Sequence, residues 1–417
     1  MTIPNIEDLD SFRGRARTFI EEHLDQRTRS INLRGGQSDE EQLAAVQHDR
    51  EMQRAFFEAG LAGICFPREY GGQGLTPAHQ NVLNEELVGY DHPAHLQTPS
   101  IAQCAPVILE FGTEEQKKQH LPRILCGEEI WAQFLSEPGG GSDVAGAVTT
   151  AVRDGDEWVL NGSKIWTSGA WWSDWALCLV RSNWDVPKHR GLSVFMVPSR
   201  QAGIELHRIE LLSGMKEFCQ EFLTDVRVPD GQRIGEVDAG WTVGIRWMFH
   251  ERLGSNSPYL TAPRSTYHDR GVAAASVARD AGRLQDPVAR DLIGEARALT
   301  LVRKQLPKRL EKAISAGIVN DQAAAIARLF GGMVATRLDT IAFELAGPGA
   351  VTWDETDGAT AGIGTDFLIR QVSTVAGGTV EMARNVISER VLGMPRERTL
   401  DRDVPFRDVQ RTRNAHE

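Results

Sequence analysis

Cysteine is scarce in this 417-residue sequence. The five thiols, Cys65, Cys104, Cys126, Cys178 and Cys219, are widely spaced, odd in number and include no C-x-x-C pair. That pattern excludes a disulfide framework and fits reduced, mostly buried thiols of a cytoplasmic protein. No apolar run approaches the roughly 20 residues that cross a bilayer, so no membrane segment is expected. The opening MTIPNIEDLDSF lacks a basic stretch followed by an apolar one, so no signal peptide is read there. Basic residues are outnumbered, 46 against 57 acidic, and the net charge of −11 argues against a nucleic-acid partner. No G-x-G-x-x-G follows a strand-like run, and no Walker A lysine follows the glycine-rich stretches. His250-Glu251 starts like a zinc-binding H-E-x-x-H, but position 254 is Gly, so no metal site is expected.

What is present divides into regions. The length favours two or three domains, and 41% hydrophobic with 25% charged residues is ordinary globular composition. Residues 1–128 read as a helical domain: Leu9, Phe12, Ala16, Phe19 and Ile20 recur at helical spacing, and Thr113 to Gln116 form a capping box. Residues 129–236 read as a middle antiparallel β domain, a small barrel or sandwich. Its runs WVLNG, WALCLVRS, LSVFMVPS and IELHRIEL are separated by turn signals such as Asp154-Gly155 and Asn161-Gly162. Residues 237–395 return to helices as a C-terminal bundle, with a kink or break expected at Pro307 and a last helix from Val380 to Leu392. The tail, 396–417, alternates charges and reads as an extended surface segment. The fold class is therefore α+β multidomain, helices then strands then helices, which is unlike alternating βαβ units.

Three stretches could carry chemistry. WAQFLSEPGGGSDVAG (131–146) offers glycines and Ser142 for close backbone approach to an anion, although glycines alone fit a plain turn better. LNGSKIWTSGAWWSDWALC (160–178) sets Trp166 before two hydroxyls, Thr167 and Ser168. An indole there could stack on a flat ring, but a strand Trp is more often core. AGGTVEMARNVISERVLGMPRE (376–397) sets two glycines before Thr379, a natural N-cap. The terminus could face a phosphate or a ring edge, or be an ordinary capped helix.

Taken together and in register, SEPGGGSDVAG, NGSKIWTSG, GEVDAGW and the 376–397 string resemble the acyl-CoA dehydrogenase family over nearly the whole chain. The resemblance implies that family's helix–strand–helix architecture, an FAD cofactor, an acyl-CoA substrate and an electron-transfer flavoprotein partner. It implies flavin contacts at Gln133, Leu135, Ser136, Gly141, Ser142, Trp166, Thr167, Ser168, Thr379 and Glu381. Ser142 and Arg252 would lie near the CoA part of the substrate. The family's desaturation removes a proton from the carbon α to the thioester and a hydride from the β carbon, the hydride going to the flavin. A carboxylate must therefore face the α carbon from the side opposite the flavin.

In many family members that carboxylate is the Glu before the Gly-Thr pair near the C-terminus. Here that position is Gly377. A second group, including isovaleryl-CoA and long-chain enzymes, places a Glu-Arg pair on the first C-terminal helix, shortly after Gly-Trp. Gly240-Trp241 and Glu251-Arg252 match it, so Glu251 is the expected base; a solvated Glu-Arg on a helix surface is the bland alternative.

Two departures bear on the cofactor. The family's R-x-x-F-G, whose arginine reaches the FAD pyrophosphate of a neighbouring subunit, is replaced by VARDAGRLQDPVAR with Arg279, Arg283 and Arg290. The Q-x-x-G-G-x-G pattern reads ELAGPGA at 344–350. These changes motivate a second reading, a non-catalytic or co-catalytic partner subunit of a mixed oligomer. A third keeps the fold but makes the protein a flavin oxidase or monooxygenase. The overall likeness is to actinobacterial members, some acting on bulky thioesters such as steroid side chains. A homo- or hetero-oligomer, dimer or tetramer, is expected.

Overall fold

The computed structural model describes residues 6–26, 38–253, 257–263, 270–352, 358–396 and 401–409. Among the described residues, six α-helices open the chain: α1 (Leu9–His23), α2 (Asp39–Glu58), α3 (Pro77–Glu86), α4 (Ala94–Leu96), α5 (Ala105–Phe111) and α6 (Glu114–Leu125). Their starts follow from the sequence. Asp8 caps α1, and Ser38 with Glu41 and Thr113 with Gln116 close reciprocal capping boxes on α2 and α6. Each box satisfies two backbone donors that a helix start leaves open. The α1 stripe Phe12, Ala16 and Ile20 packs on Phe56, Leu61 and Leu83. A π-helical segment, Gln97–Cys104, runs straight into α5.

Eight strands follow: β1 (Trp131–Phe134), β2 (Thr150–Asp154), β3 (Glu157–Ser168), β4 (Trp175–Arg181), β5 (Leu192–Pro198), β6 (Ile204–Ile209), β7 (Phe218–Pro229) and β8 (Arg233–Ile234). They form one sheet in the order β6-β7-β3-β2-β4-β5-β8, with β1 paired to β4. Most pairs are antiparallel as expected, but β1–β4 is parallel over four residues and β2 touches β4 in parallel at Thr150 and Arg181. One face buries Phe134, Trp158, Phe195 and Val226. The other shares a core with the flanking helices, where Trp131, Leu177 and Leu192 meet Ile108, Leu121 and Trp247. Fully burying each such apolar side chain contributes about 1.5–3 kcal/mol, so strands and helices are fastened together by one continuous core.

The C-terminal helices are α7 (Gly240–Leu253), α8 (Arg270–Asp280), α9 (Pro287–Ser315), α10 (Ala324–Ala346), α11 (Gly358–Ile369), α12 (Val372–Val375) and α13 (Val380–Val386), the last continuing as a π turn over Ile387–Val391. Two expectations change. Pro307 does not break its helix: α9 runs unbroken through it. Nor is the described part of the tail, 401–409, extended: it consists of turns and a short helical stretch docked through one side chain. Phe406 is 1% exposed, stacked on Trp184 with centroids 5.4 Å apart and lying 4.0 Å from the Arg181 guanidinium. Among the described residues no helix is long and apolar enough to cross a membrane.

Candidate functional site

The loop between β1 and β2 is pinned from beneath. Glu137 accepts from Val148 N–H (2.7 Å), Thr149 N–H (2.9 Å) and the Lys164 ammonium (2.8 Å). Lys164, wholly buried, also donates to the carbonyls of Leu135 (3.3 Å) and Leu179 (2.5 Å). Burial alone would raise the Glu137 carboxyl; Lys164 and the N–H donors outweigh it and hold the group below the usual range. Above this anchor Gly141 and Ser142 are exposed, Ser136 is half-buried and Leu135 is buried. Asp143 pairs with Lys188 at 2.9 Å. The sequence reading does not single out Lys164 or Glu137 as the anchor of this loop, although a lysine inside an otherwise apolar strand pattern is a visible signal.

Trp166 sits at a bulge between Ile165 and Thr167 in the β3–β7 ladder, with φ at 64°. A left-handed conformation costs a tryptophan about 1–3 kcal/mol and points to a functional constraint. Its effect is to leave the indole 54% exposed. The two hydroxyls that follow divide. Thr167 turns inward, donating to Glu221 Oε2 (2.8 Å) and to the Gln133 carbonyl (3.3 Å), so its side chain is committed to the protein interior; Ser168 is half-buried. Burial pushes the Glu221 carboxyl up to about 8, against the bond from Thr167. Beside it, Gln133 Nε2 is buried and has no hydrogen-bond partner. An orphaned amide donor under an exposed, strained indole is what a polar-edged ring ligand would complete.

Glu251 comes from the last turn of α7, a helix held in rotation by its neighbours. Arg246 grips Glu110 with two bonds (2.7 and 2.8 Å), and His250 Nε2 meets the same carboxylate at 2.9 Å. With His250 turned to α5, Glu251, the next residue on the helix, points about 100° away from it and lies beside the Gly377 turn. Burial raises its carboxyl above the ordinary range, opposed by Arg252 and then Arg328. The charge of Glu251 is felt by the buried Cys104, whose thiol contacts the Ala132 carbonyl at 3.5 Å.

The remaining wall is the turn before α13. Gly377 and Gly378 have φ of 70° and 94°. A Cβ at 377 would lie 3.9 Å from Glu251 Oε1, and one at 378 would lie 4.0 Å from Arg252 Nε. Thr379 caps α13 as expected, accepting from Met382 N–H at 3.1 Å. Glu381 and Arg252 are exposed, Glu381 pairing with Arg384 at 3.6 Å. Two groups result: Glu251 and Arg252 face the Gly377–Gly378 turn before α13, and Trp166, Thr167 and Gln133 gather where β3 meets β1. Of the substituted arginines, Arg283 is committed to Asp286 (2.7 Å) and the Glu344 carbonyl (2.6 Å), whereas Arg279 and Arg290 are exposed. No cluster of metal-ligating side chains occurs among the described residues.

Residues 6–128 match the acyl-CoA dehydrogenase N-terminal domain and residues 132–226 the middle domain. The acyl-CoA dehydrogenase IpdE1 of Mycobacterium tuberculosis is 31% identical, over 94% of this chain and 99% of its own length. FadE26, an acyl-CoA dehydrogenase of the same organism, is 33% identical over 81% of this chain and 86% of its own. Among solved structures, the Tcur3481-Tcur3483 steroid ACAD superposes with a TM-score of 0.75 at 28% identity, covering 93% of this chain and 98% of that one. The ChsE4-ChsE5 complex from Mycobacterium tuberculosis gives 0.72 at 27% identity, over 95% and 100% of the two chains. The chain belongs to the acyl-CoA dehydrogenase family, a family of oxidoreductases.

Proposed function

We propose that this protein desaturates an acyl-CoA thioester between its α and β carbons, with FAD as cofactor, Glu251 as base and an electron-transfer flavoprotein as electron acceptor. The observation that carries the reading is the Glu251 carboxyl lying beside Gly377, in the space a carboxylate would need. A proton α to a thioester is weakly acidic. A desolvated carboxylate is a stronger base than a solvated one, and the half-buried Glu251 carboxyl is raised by desolvation against the pull of Arg252 and Arg328. FAD, when bound, supplies the hydride acceptor. The orphaned Gln133 amide, the exposed Trp166 face, Ser168 and the turn at Thr379 are the groups that would hold and orient it. Leu135, Ser136, Gly141 and Ser142 line its approach through the pinned loop. Thr167 would act through its backbone, and Glu381 from the rim. The exposed Ser142 and Arg252 suit the charged CoA end of the substrate. The acyl group we assign to the bulky class, including steroid side chains, on the likeness to the steroid ACAD.

The test is a Glu251→Gln variant titrated anaerobically with acyl-CoAs from butyryl-CoA to a steroid side-chain thioester. It should keep its flavin and fail to bleach; bleaching at the wild-type rate would remove Glu251 from the role.

A second reading, a partner in a mixed oligomer, is favoured by the exposed Arg279 and Arg290 and by the exposed apolar side chains Met333, Val372, Val375 and Met382. ChsE4-ChsE5 is itself a complex of two differently named chains. Flavin content of the chain purified alone decides: full occupancy excludes a chain that needs a partner to hold FAD.

A further inference from the structure

Arg328 stands on α10, one turn before Gly332. At Gly332 an added Cβ would meet the Ser373 carbonyl oxygen at 2.7 Å and Arg328 Nη1 at 2.8 Å, so only glycine lets the guanidinium and α12 crowd together there. In that gap Nη1 donates to the Ser373 carbonyl (3.1 Å) and Nη2 to the Ala376 carbonyl (2.6 Å). Ser373 belongs to α12 and Ala376 is its C-cap, immediately before the Gly377–Gly378 turn. Both glycines are left-handed and carry no side chain to fix them, so the turn takes its position from the residues before it and from the Thr379 cap after it.

We propose that Arg328 is a positioning residue for Glu251: its fork clamps the 373–376 carbonyls, sets the Gly377–Gly378 turn against the base, and presents a fixed cation to the Glu251 carboxyl. The proposal rests on Glu251 being the base. A guanidinium suits the task because its planar donors bond two carbonyls at once while the charge persists at every working pH.

The electrostatics agree in sign. Among the described residues, the charged and titratable groups that act on Glu251 are Arg252 from its own helix, Arg328 from α10 and Cys104 from the π-helical segment. Burial keeps the Cys104 thiol neutral by raising it well above its ordinary value. Arg252 is exposed, where its field is screened by solvent, and Arg328 is half-buried. Burial lowers the Arg328 guanidinium and Glu251 raises it, the reciprocal of the pull on the carboxyl.

The test uses flavin-loaded protein saturated with acetoacetyl-CoA. Its α-methylene lies between two carbonyls and loses a proton to give an absorbing enolate, and it has no β hydrogen to pass on as hydride. Proton abstraction is therefore read alone, as enolate absorbance against pH. Arg328→Gln should move the midpoint for enolate appearance to higher pH and lower the enolate signal several-fold at a pH on the rising limb of the wild-type curve. Arg328→Lys keeps the charge but not the fork; it should titrate near the wild-type midpoint while binding acetoacetyl-CoA more weakly. An Arg328→Gln midpoint equal to the wild type at saturation overturns the proposal. So does an Arg328→Lys protein identical to wild type in both midpoint and affinity, which decides the matter if the Gln variant does not fold. Failure of the underlying reading looks different: Glu251→Gln would then titrate like the wild type.

Discussion

The Glu251 carboxylate lies against Gly377: a Cβ on Gly377 would stand 3.9 Å from Glu251 Oε1. A side chain built at 377 would start that close to the Glu251 carboxylate, and we predict that the base can be exchanged between the two sites. Glu251→Gly should lower substrate-dependent flavin reduction by about 10²–10⁴-fold, the usual worth of a positioned base. Adding Gly377→Glu should restore part of that loss. Recovery stays partial because φ at Gly377 is 70°, a left-handed conformation that costs a non-glycine residue about 1–2 kcal/mol. Gly377→Glu alone should depress the rate, since two carboxylates would then crowd one site. Stopped-flow reduction of the three variants checks this, and a double variant no faster than Glu251→Gly alone contradicts the exchange.

The pH dependence follows from the same carboxyl. Only ionised Glu251 can take a proton, and burial raises its pKa above the ordinary carboxylate value. Flavin reduction should therefore climb with pH, levelling off above a midpoint that lies higher than the roughly 4.3 of a free glutamate. A single-turnover profile already level at pH 5 would argue for a different base.

Lys164 and Glu137 form a buried ion pair at 2.8 Å beneath the loop that carries Gly141 and Ser142. Lys164→Met leaves a buried carboxylate without its counter-charge, a change that costs about 3–5 kcal/mol. The folded Glu137 pKa lies below its unfolded value, so the stability it contributes is present at neutral pH and is lost as pH falls through the folded value. The gap in melting temperature between wild type and variant should be wide at pH 7 and close below about pH 4, as carboxylates protonate. Equal melting at pH 7 would show the pair to be dispensable.

The sequence made the order of helices and strands legible because patterning and caps are local: Thr113 with Gln116, and Thr379 before Met382, behave as their spacing requires. The meeting of Glu251 with Gly377 could be anticipated only through resemblance to a family, since 126 positions separate them and the contact is tertiary. What stayed hidden were buried charges. Lys164, Glu221 and Arg181 look like surface residues in a one-dimensional pattern, yet each is wholly buried, and only the fold supplies their partners. Pro307 carries a strong local signal for a kink or break, and of these the break does not occur, because α9 continues through it. The tail misled because its charges hide the single Phe406 that docks it.

Glu221 offers a test that needs no substrate. Its carboxyl is pushed up to about 8 by burial, so between an unfolded value near 4.3 and that figure the folded chain holds a proton the unfolded chain releases. Stability must then fall as pH rises through that interval. Glu221→Gln keeps an oxygen to accept from Thr167 and removes the titration. The variant should melt higher than wild type at pH 8 and nearly together with it at pH 4.5. A constant difference across that range would mean Glu221 is ionised in the fold.

The docked tail should be separable from the rest of the fold. Phe406 fits between Trp184 and Arg181, and its backbone joins the strand-edge loop through Phe406 N–H to the Val186 carbonyl (2.9 Å) and Arg407 N–H to the Trp184 carbonyl (3.1 Å). Arg181 in turn donates to the carbonyls of Ala145 (2.5 Å) and Ala147 (3.2 Å), just beyond Ser142. Removing a ring this buried costs about 3–5 kcal/mol where the site cannot collapse, and here the cost falls on docking of one segment rather than on the global core. Phe406→Ala should therefore speed tryptic cleavage at Arg402 and Arg407 markedly while shifting the main melting transition little. Because Arg181 connects the socket to the glycine-rich loop, the variant should also bind CoA more weakly by calorimetry. Cleavage at the wild-type rate would mean that the tail is held by something other than Phe406.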